Sequence, residues 1–272
     1  MRLKTKIEKF NKLNLIKQLN RIECRWEGRD VVTLIGGKES QRWSPKNKDY
    51  TILNFADISK QFLSRISKHL DIQEMHFKAY GGIQELKLFG ESFDFMGEKY
   101  KKMACLLSST DGTRNLKANF GLFREISETG LMAREAGDEY NIRHLSSKQK
   151  DFIFDNDIES IFKEALDLIG SMKGKKTSLQ IIKKGLIGDK GQNSSRFIKF
   201  ARKLSNSKTD KIKGLTKDQI LILKSEKNIL TKHKDFDLPI DGYIAIQCYS
   251  ELFKKHDSGV IAKESTRILK LI

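Results

Sequence analysis

Apolar and polar positions follow two different rhythms along the chain, and the rhythm changes near residue 145. Before that point, short apolar runs alternate with turns that contain Gly or Asp, as in an antiparallel sheet. Beyond it, apolar residues recur every three or four positions, which is typical of amphipathic helices. The pattern predicts an α+β fold: an antiparallel β-meander with a packed helix, followed by a basic helical C-terminal part.

The individual elements follow from the same pattern. Residues 1–22 place apolar side chains on one side and are predicted to form one basic amphipathic helix. A strand is predicted over 29–37, followed by a loop and a short strand over 38–53. A helix is predicted over 57–70, with Asn54 as its N-cap. The strands of the meander are predicted at 72–80, 83–89, 93–95, 102–108 and 115–124.

These elements divide the chain into three regions. We predict a basic amphipathic helical N-terminus over 1–28, an α+β sheet domain over 29–145, and a helical C-terminal region over 146–272. Within the last region, helices are predicted at 152–170, 179–186, 194–204, 216–233 and 241–256.

The distribution of charge adds information about function, because nearly all of the excess positive charge lies in two stretches. The 272-residue chain has a formal net charge of +17. Residues 1–22 contain seven basic residues against one acidic residue, and residues 170–214 contain thirteen against two, so the rest of the chain is neutral. Such an imbalance opposes folding through self-repulsion, and a polyanionic partner is the simplest reason to keep it.

Nucleic acid is the polyanion that this composition favours, since Lys and Arg gain affinity by releasing counterions from phosphates. An anionic membrane surface, an acidic protein, and a surplus that serves only solubility are the alternatives. DNA and RNA are not separated by this argument, because the discriminating contact is to the 2′-hydroxyl. The candidate nucleic-acid-binding residues are cations of the second stretch: Lys173, Lys175, Lys176, Lys183, Lys184, Lys190, Arg196, Lys199, Arg202 and Lys203.

Catalytic and metal-binding motifs are absent from the sequence, and its five histidines are scattered, so no metal or cofactor is expected. A metal-dependent nuclease is the enzymatic alternative, because Glu85 and Lys87 share a predicted strand and Asp94 is near in sequence. We expect instead that Glu85 and Lys87 lie on the solvated outer face of an antiparallel sheet, and that the protein is not an enzyme.

Aromatic residues on the predicted sheet are candidates for stacking on single-stranded bases. They are Tyr80, Phe89, Tyr100 and Phe123, and periodicity alone does not give the face of the sheet on which each lies. By contrast, Phe197 and Phe200 fall on the apolar side of a predicted basic helix, which favours a place in the core.

The cysteines and the N-terminus indicate a reducing compartment. Cys24, Cys105 and Cys248 are far apart and odd in number, which favours free thiols over a disulfide framework. The first residues lack the apolar region of a signal peptide, and no apolar run has the length needed to cross a bilayer. We therefore expect a cytoplasmic protein that does not associate with membranes.

Residues 40–135 resemble a phage- and plasmid-encoded protein family of unknown function. The resemblance lies in the turn at 108–113 (SSTDGT), the strand that follows it and ends at 123–126 (FREI), and the pair at 130–131 (GL). The segment 42–45 (RWSP) and the helix after it also match in position. Residues 126–129 (ISET) depart from the Val-Cys-x-Asn pattern of that family, so no role for a cysteine there carries over.

The order of a helix, a β-meander and further helices is also similar to the phage single-strand annealing proteins of the Redβ and Erf type. That resemblance is one of fold pattern, and it implies a non-enzymatic, basic protein that forms rings or filaments as a homo-oligomer. Together with the charge, it favours binding of single-stranded DNA in recombination or replication. The competing hypotheses are the nuclease and a non-catalytic phage structural or anti-defence interaction protein.

Overall fold

The computed structural model describes residues 7–46, 49–125, 129–132, 141–142, 158–178, 239–243, 246 and 258–271. Its architecture is α+β, as the sequence predicts, with antiparallel sheets and packed helices. In chain order the elements are β1 (Glu8–Lys9), α1 (Lys12–Leu19), β2 (Ile22–Glu27), β3 (Asp30–Ile35), β4 (Lys38–Trp43), α2 (Phe55–Ile66), β5 (Glu74–Tyr80), β6 (Ile83–Phe95), β7 (Glu98–Ser109), β8 (Leu116–Arg124), β9 (Thr129–Met132), β10 (Asn141–Ile142), α3 (Ile158–Ser171), β11 (Lys176–Ser178), β12 (Pro239–Asp241) and α4 (Ser258–Leu271).

The large sheet has the strand order β1-β5-β6-β7-β8-β10, and β9 also pairs with β8. Strands β5 to β8 are consecutive and antiparallel, which confirms the predicted meander. The runs at 83–89 and 93–95, predicted as separate strands, form the single strand β6, because the register shifts between Phe89 and Ser92 instead of ending there. Met96 and Gly97 turn the chain into β7 with φ of 55° and 80°, as a tight hairpin requires.

On one side of strands β5 to β8, the two central rows of side chains that run across the strands are apolar. We call these two rows the apolar face. Helices α2 and α3 cover it with Phe62 and Phe162, and both rings are buried. Residues paired across neighbouring strands point to the same side, so the pairing defines each row. The rows are Met75, Leu88, Ala104 and Phe120, and Phe77, Leu86, Leu106 and Ala118.

The opposite side of the same strands carries an in-register row of His76, Lys87, Cys105 and Asn119, which we call the polar row. Glu85 lies one row away on this side, and its Oε1 accepts a hydrogen bond of 2.6 Å from the backbone N–H of Ser258, the first residue of α4. The prediction that Glu85 and Lys87 are solvated is therefore wrong. They are 3% and 9% exposed, because α4 packs over this side.

Helix α2 forms as its pattern predicts. The side chain of Asn54 accepts hydrogen bonds from the N–H groups of Ala56 and Asp57, which confirms the predicted N-cap. The helix begins at Phe55 and ends at Ile66, four residues before the predicted end. Phe55, Phe62 and Ile66 on its buried side fix its position against the sheet.

The N-terminal region differs from the single helix predicted for 1–22. Asn11 caps α1 with its side chain, so within the described residues the helix is confined to Lys12–Leu19 and short β1 precedes it. Residues 22–27, predicted to belong to the helical N-terminus, form β2 and pair with β3 across the turn at residues 28–29. Residues 38–43, predicted as a loop, form β4 and complete a three-stranded sheet. The proposed boundary at residue 145 stays a prediction.

The three-stranded sheet packs on the hairpin ends of the large sheet. Thr33 Oγ1 and Thr110 Oγ1 share a hydrogen bond of 2.6 Å, and Gln41 Nε2 donates to Asp111 at 2.9 Å. Tyr50 OH donates to the carbonyl oxygen of Thr110 at 2.7 Å. These contacts hold the turn after β7 in place.

Candidate nucleic-acid interface

The predicted site residues fall at the end of α3 and beyond it. Lys173 and Lys175 are exposed in the turn that follows the helix, and Gly174 between them has a φ of 80°. Lys176 is the first residue of β11, opposite Asp241 of β12. The remaining predicted residues lie outside the described residues: Lys183, Lys184, Lys190, Arg196, Lys199, Arg202 and Lys203.

The N-terminal basic stretch presents its described cations to solvent. Leu15 and Leu19 of α1 are buried, which turns Lys12 and Lys17 outwards. Lys9 and Arg21 are exposed as well. None of these four cations forms an ion pair with another described residue.

Exposed cations of the neutral part include several that are already paired with carboxylates. Arg25 bridges Glu23 and Glu27 at 3.2 and 2.8 Å, and Arg42 reaches Glu27 and Glu39, each at 2.8 Å. The hydrogen bonds from Arg25 and then Arg42 lower the pKa of Glu27. These charges on the three-stranded sheet neutralise one another, so that surface does not add to the basic field.

The three residues of the nuclease hypothesis are not brought together. Glu85 and Lys87 are buried and form an ion pair of 3.4 Å, and Glu85 also holds the N-terminus of α4. Asp94 lies seven residues beyond Lys87 on β6, which corresponds to about 23 Å at the rise per residue of an extended strand. Its side chain is 71% exposed and pairs with Lys99 at 2.6 Å. Among the described residues, no three His, Cys, Asp or Glu side chains form a group suited to a metal ion.

Polar atoms of the buried polar row lack partners. His76 Nδ1 and both amide atoms of Asn119 are buried without a hydrogen bond, and so is the hydroxyl of Ser258 at the start of α4. Burial, and then the charge of Lys87, lower the pKa of His76 to about 4, so its imidazole is neutral at pH 7. Burial raises the pKa of the Cys105 thiol, which excludes it as a thiolate nucleophile near neutral pH.

Sequence reasoning recognised Glu85 and Lys87 as a pair but missed His76 and Asn119. These residues lie 43 positions apart in the chain and share a row only through the pairing of four strands. The signal that was present is the alternation of polar residues with Leu86 and Leu88. It indicates a two-sided strand but does not show that a distant helix covers the polar side.

The four candidate stacking residues have different surroundings. Tyr80 is 65% exposed at the end of β5. Phe89 and Phe123 pack edge to face with centroids 4.9 Å apart, and both are buried on the same side of the sheet as the polar row. Tyr100 is buried on the other side, where its hydroxyl lies 2.6 Å from that of Tyr243. Of the four, Tyr80 alone has a ring that solvent reaches freely.

The turn that carries the family resemblance has a structural role. Asp111 accepts hydrogen bonds from the N–H and the hydroxyl of Thr113, at 2.9 and 2.6 Å, which closes an Asx turn. Burial alone would raise the pKa of Asp111, but the hydrogen bonds from Thr113 and Gln41 outweigh it and lower the pKa. Gly112 adopts a φ of 67° against the ring of Trp43, where a side chain would be strained. These contacts explain the SSTDGT sequence without invoking a ligand.

The helices of the described residues include none that is long and apolar enough to traverse a bilayer. No family model, curated protein or solved structure matches the chain. The two resemblances drawn from the sequence therefore stay predictions.

Proposed function

We propose that this protein binds nucleic acid through its two basic stretches. Single-stranded DNA is the favoured partner, and annealing of complementary strands is the proposed role. It acts in the cytoplasm as a non-enzymatic protein. The observation that carries the proposal is the confinement of the whole +17 surplus to residues 1–22 and 170–214.

The described cations of these stretches support this function by their exposure. Lys9, Lys12, Lys17 and Arg21 are open to solvent and have no carboxylate partner among the described residues. A cation without a partner gives its whole charge to a phosphate, whereas a paired one must first lose its carboxylate. Neutralising phosphates releases condensed counterions, which gives tight binding with little dependence on sequence.

A pair of charge-reversal variants tests the proposal. The test variant replaces Lys9, Lys12, Lys17 and Arg21 with Glu. The control replaces Lys38, Lys46, Lys68 and Lys163 with Glu; these lysines are also exposed and have no ion pair among the described residues, but they lie outside both stretches. Both variants change the net charge equally, so any difference reports position.

Fluorescence anisotropy with oligothymidylate should show a large loss of affinity for the test variant and a small one for the control. The slope of log K against log salt should flatten by about 0.7 for each phosphate of a single strand that the variant no longer neutralises. Equal losses in the two variants would show that overall charge, and not the basic stretches, determines binding. Circular dichroism and a thermal melt establish that both variants are folded.

The second stretch is tested by the double change Lys199→Glu and Arg202→Glu. Its control is the double change Lys38→Glu and Lys68→Glu. A selective loss of affinity in the first double variant supports the second stretch as part of the interface. Unchanged affinity removes it from the interface.

A further inference from the structure

The two sides of strands β5 to β8 are both covered, yet one of them is polar. The apolar face meets α2 and α3 through rows without a polar side chain. The polar row places an imidazole, an ammonium, a thiol and an amide side by side on the side of the sheet against which α4 packs. A sheet side whose only role was to support a helix would gain more from apolar residues.

The cover over the polar row leaves polar atoms unpartnered. Asn119 is 1% exposed and neither amide atom has a hydrogen bond; His76 Nδ1 and Ser258 Oγ are in the same state. Each buried polar atom without a partner opposes the docked state of α4. These groups are suited to a partner that brings its own donors and acceptors.

Helix α4 is itself an unusual cover. It packs against β7, β8 and β9, and its buried residues include Ser258 and Ser265 as well as Ile261 and Ala262. Its N-terminus is held by the carboxylate of Glu85 on β6. Two of the four buried residues described on α4 are serines, so this described part gains less from the hydrophobic effect than an apolar helix face would, and α4 is the element over the sheet that can separate at moderate cost.

The side beneath α4 has the chemistry of a single-strand platform. Cations stand on all four strands of this side, and three of the four candidate stacking residues lie on it. Lys87 forms an ion pair with Glu85, and Lys101 forms ion pairs with Glu74 and Glu125. A phosphate group can replace the carboxylate in such a pair. The cations are Lys78, Lys87, Lys101 and Lys117, and the aromatic residues are Tyr80, Phe89 and Phe123.

We propose that the polar row and its neighbours form a platform for single-stranded nucleic acid and that α4 is its detachable cover. This inference rests on the proposed function and adds to it a second surface and a gate. Amide and imidazole groups of the row pair with base edges, the lysines bind phosphates, and the aromatic rings stack on bases. A duplex cannot use the platform, because its bases are already paired and stacked.

Hydrogen exchange on the full-length wild-type chain tests the gate. Exchange is measured with no ligand, with oligothymidylate, with oligouridylate, and with a DNA duplex of equal length. The platform requires that amides of Ser258–Leu271 exchange at least about tenfold faster when a single strand is bound. The duplex should leave their exchange rate unchanged.

The outcomes separate this inference from the function on which it rests. Binding of single strands with unchanged protection of α4 overturns the platform and leaves nucleic-acid binding intact. No binding of any of the three nucleic acids overturns both. Faster exchange of α4 with only one of the two single strands supports the platform and identifies the sugar that it accepts.

A pair of carboxylate variants tests the cover from the other direction. Glu85→Gln weakens the hold on α4 and releases Lys87, so affinity for oligothymidylate should rise about fivefold. Glu159→Gln, on α3 at the other side of the sheet, makes the same charge change and should raise affinity far less. Equal effects of the two variants, or no gain in Glu85→Gln, would contradict the role of α4 as a cover.

Discussion

The apolar face and the side of the sheet that carries the polar row belong to the same four strands but are built on different principles. On the apolar face, complementary packing of α2 and α3 against Leu and Phe side chains supplies stability. On the other side, against which α4 packs, an imidazole, an ammonium and an amide lie side by side, and buried atoms of the imidazole and the amide have no partner. Burial on both sides therefore does not mean that both sides serve stability. A costly side that is retained is a candidate for function.

A polar network at the end of the apolar face sharpens the contrast. The guanidinium of Arg124 donates to Glu98, Tyr243 OH donates to the same carboxylate at 2.8 Å, and Tyr100 OH lies 2.6 Å from Tyr243 OH. Arg124 and Tyr100 are almost fully buried. Here each charge has a close counterpart, whereas the polar row has buried atoms without a partner.

The largest effect is expected from breaking this network. Arg124→Met leaves the Glu98 carboxylate buried without its cation and should lower the free energy of unfolding by about 4 kcal/mol. Urea unfolding followed by circular dichroism measures it. The double variant Arg124→Met and Glu98→Gln should recover most of the loss, since no uncompensated charge remains. A double variant as unstable as the single one would show that shape, and not charge pairing, matters at this position.

Two neighbouring leucines of β7 compare the two sides directly. Leu106 lies on the apolar face and Leu107 on the side of the polar row, and both are fully buried. Leu106→Ala should cost about 3 to 4 kcal/mol, and Leu107→Ala about 2, because the row of Leu106 is apolar throughout whereas Leu107 shares its row with Glu85 and Lys117. Equal losses in urea unfolding would mean that α4 packs as tightly as α2 and α3.

The polar row should make stability depend on pH through His76. Its pKa is about 4 in the folded chain and about 6.5 when unfolded, so the unfolded state binds the proton first as the pH falls. The contribution is fully present above about pH 6.5 and is lost progressively down to about pH 4, up to about 3 kcal/mol in all. The free energy of unfolding of His76→Gln, measured across this range, should lack this component. Identical pH profiles for the two proteins would show that His76 is not buried in its neutral form.

The smallest effect is expected from an apolar replacement in the polar row. Asn119→Leu removes two unpartnered buried atoms at similar size and should raise the free energy of unfolding by about 1 kcal/mol. The thermal midpoint measures the change. A clear loss of stability would show that the amide has a partner and that the row is satisfied in the folded chain.

Local pattern was sufficient to predict the meander and α2. Polar and apolar residues alternate in parts of β6 and β7, and Asn54 precedes apolar residues at helical spacing in α2. The packing of the folded chain favours the same elements as these local patterns. The amphipathic spacing also predicted helix where α1 forms, although not the limits of that helix. These features depend on residues close in sequence, which a single chain reveals.

Features that depend on distant partners were missed. Arg25 and Arg42 flank Val32 in the three-stranded sheet, and Arg42 on β4 reaches across to Glu27 on β2, so β2 and β4 carry too much charge to be recognised as strands. Glu85 and Lys87 have the pattern of a solvated strand and are buried because α4, far along the chain, packs over them. No periodicity within either segment contains that information.

The salt dependence of binding to single-stranded DNA is the most direct test of the proposed function. The wild-type chain is titrated onto oligothymidylate by fluorescence anisotropy at a series of salt concentrations. We expect tight binding at low salt and a linear fall of log K with log salt, with a slope of about −0.7 for each phosphate neutralised. No binding at low salt, or an affinity that does not change with salt, would contradict it.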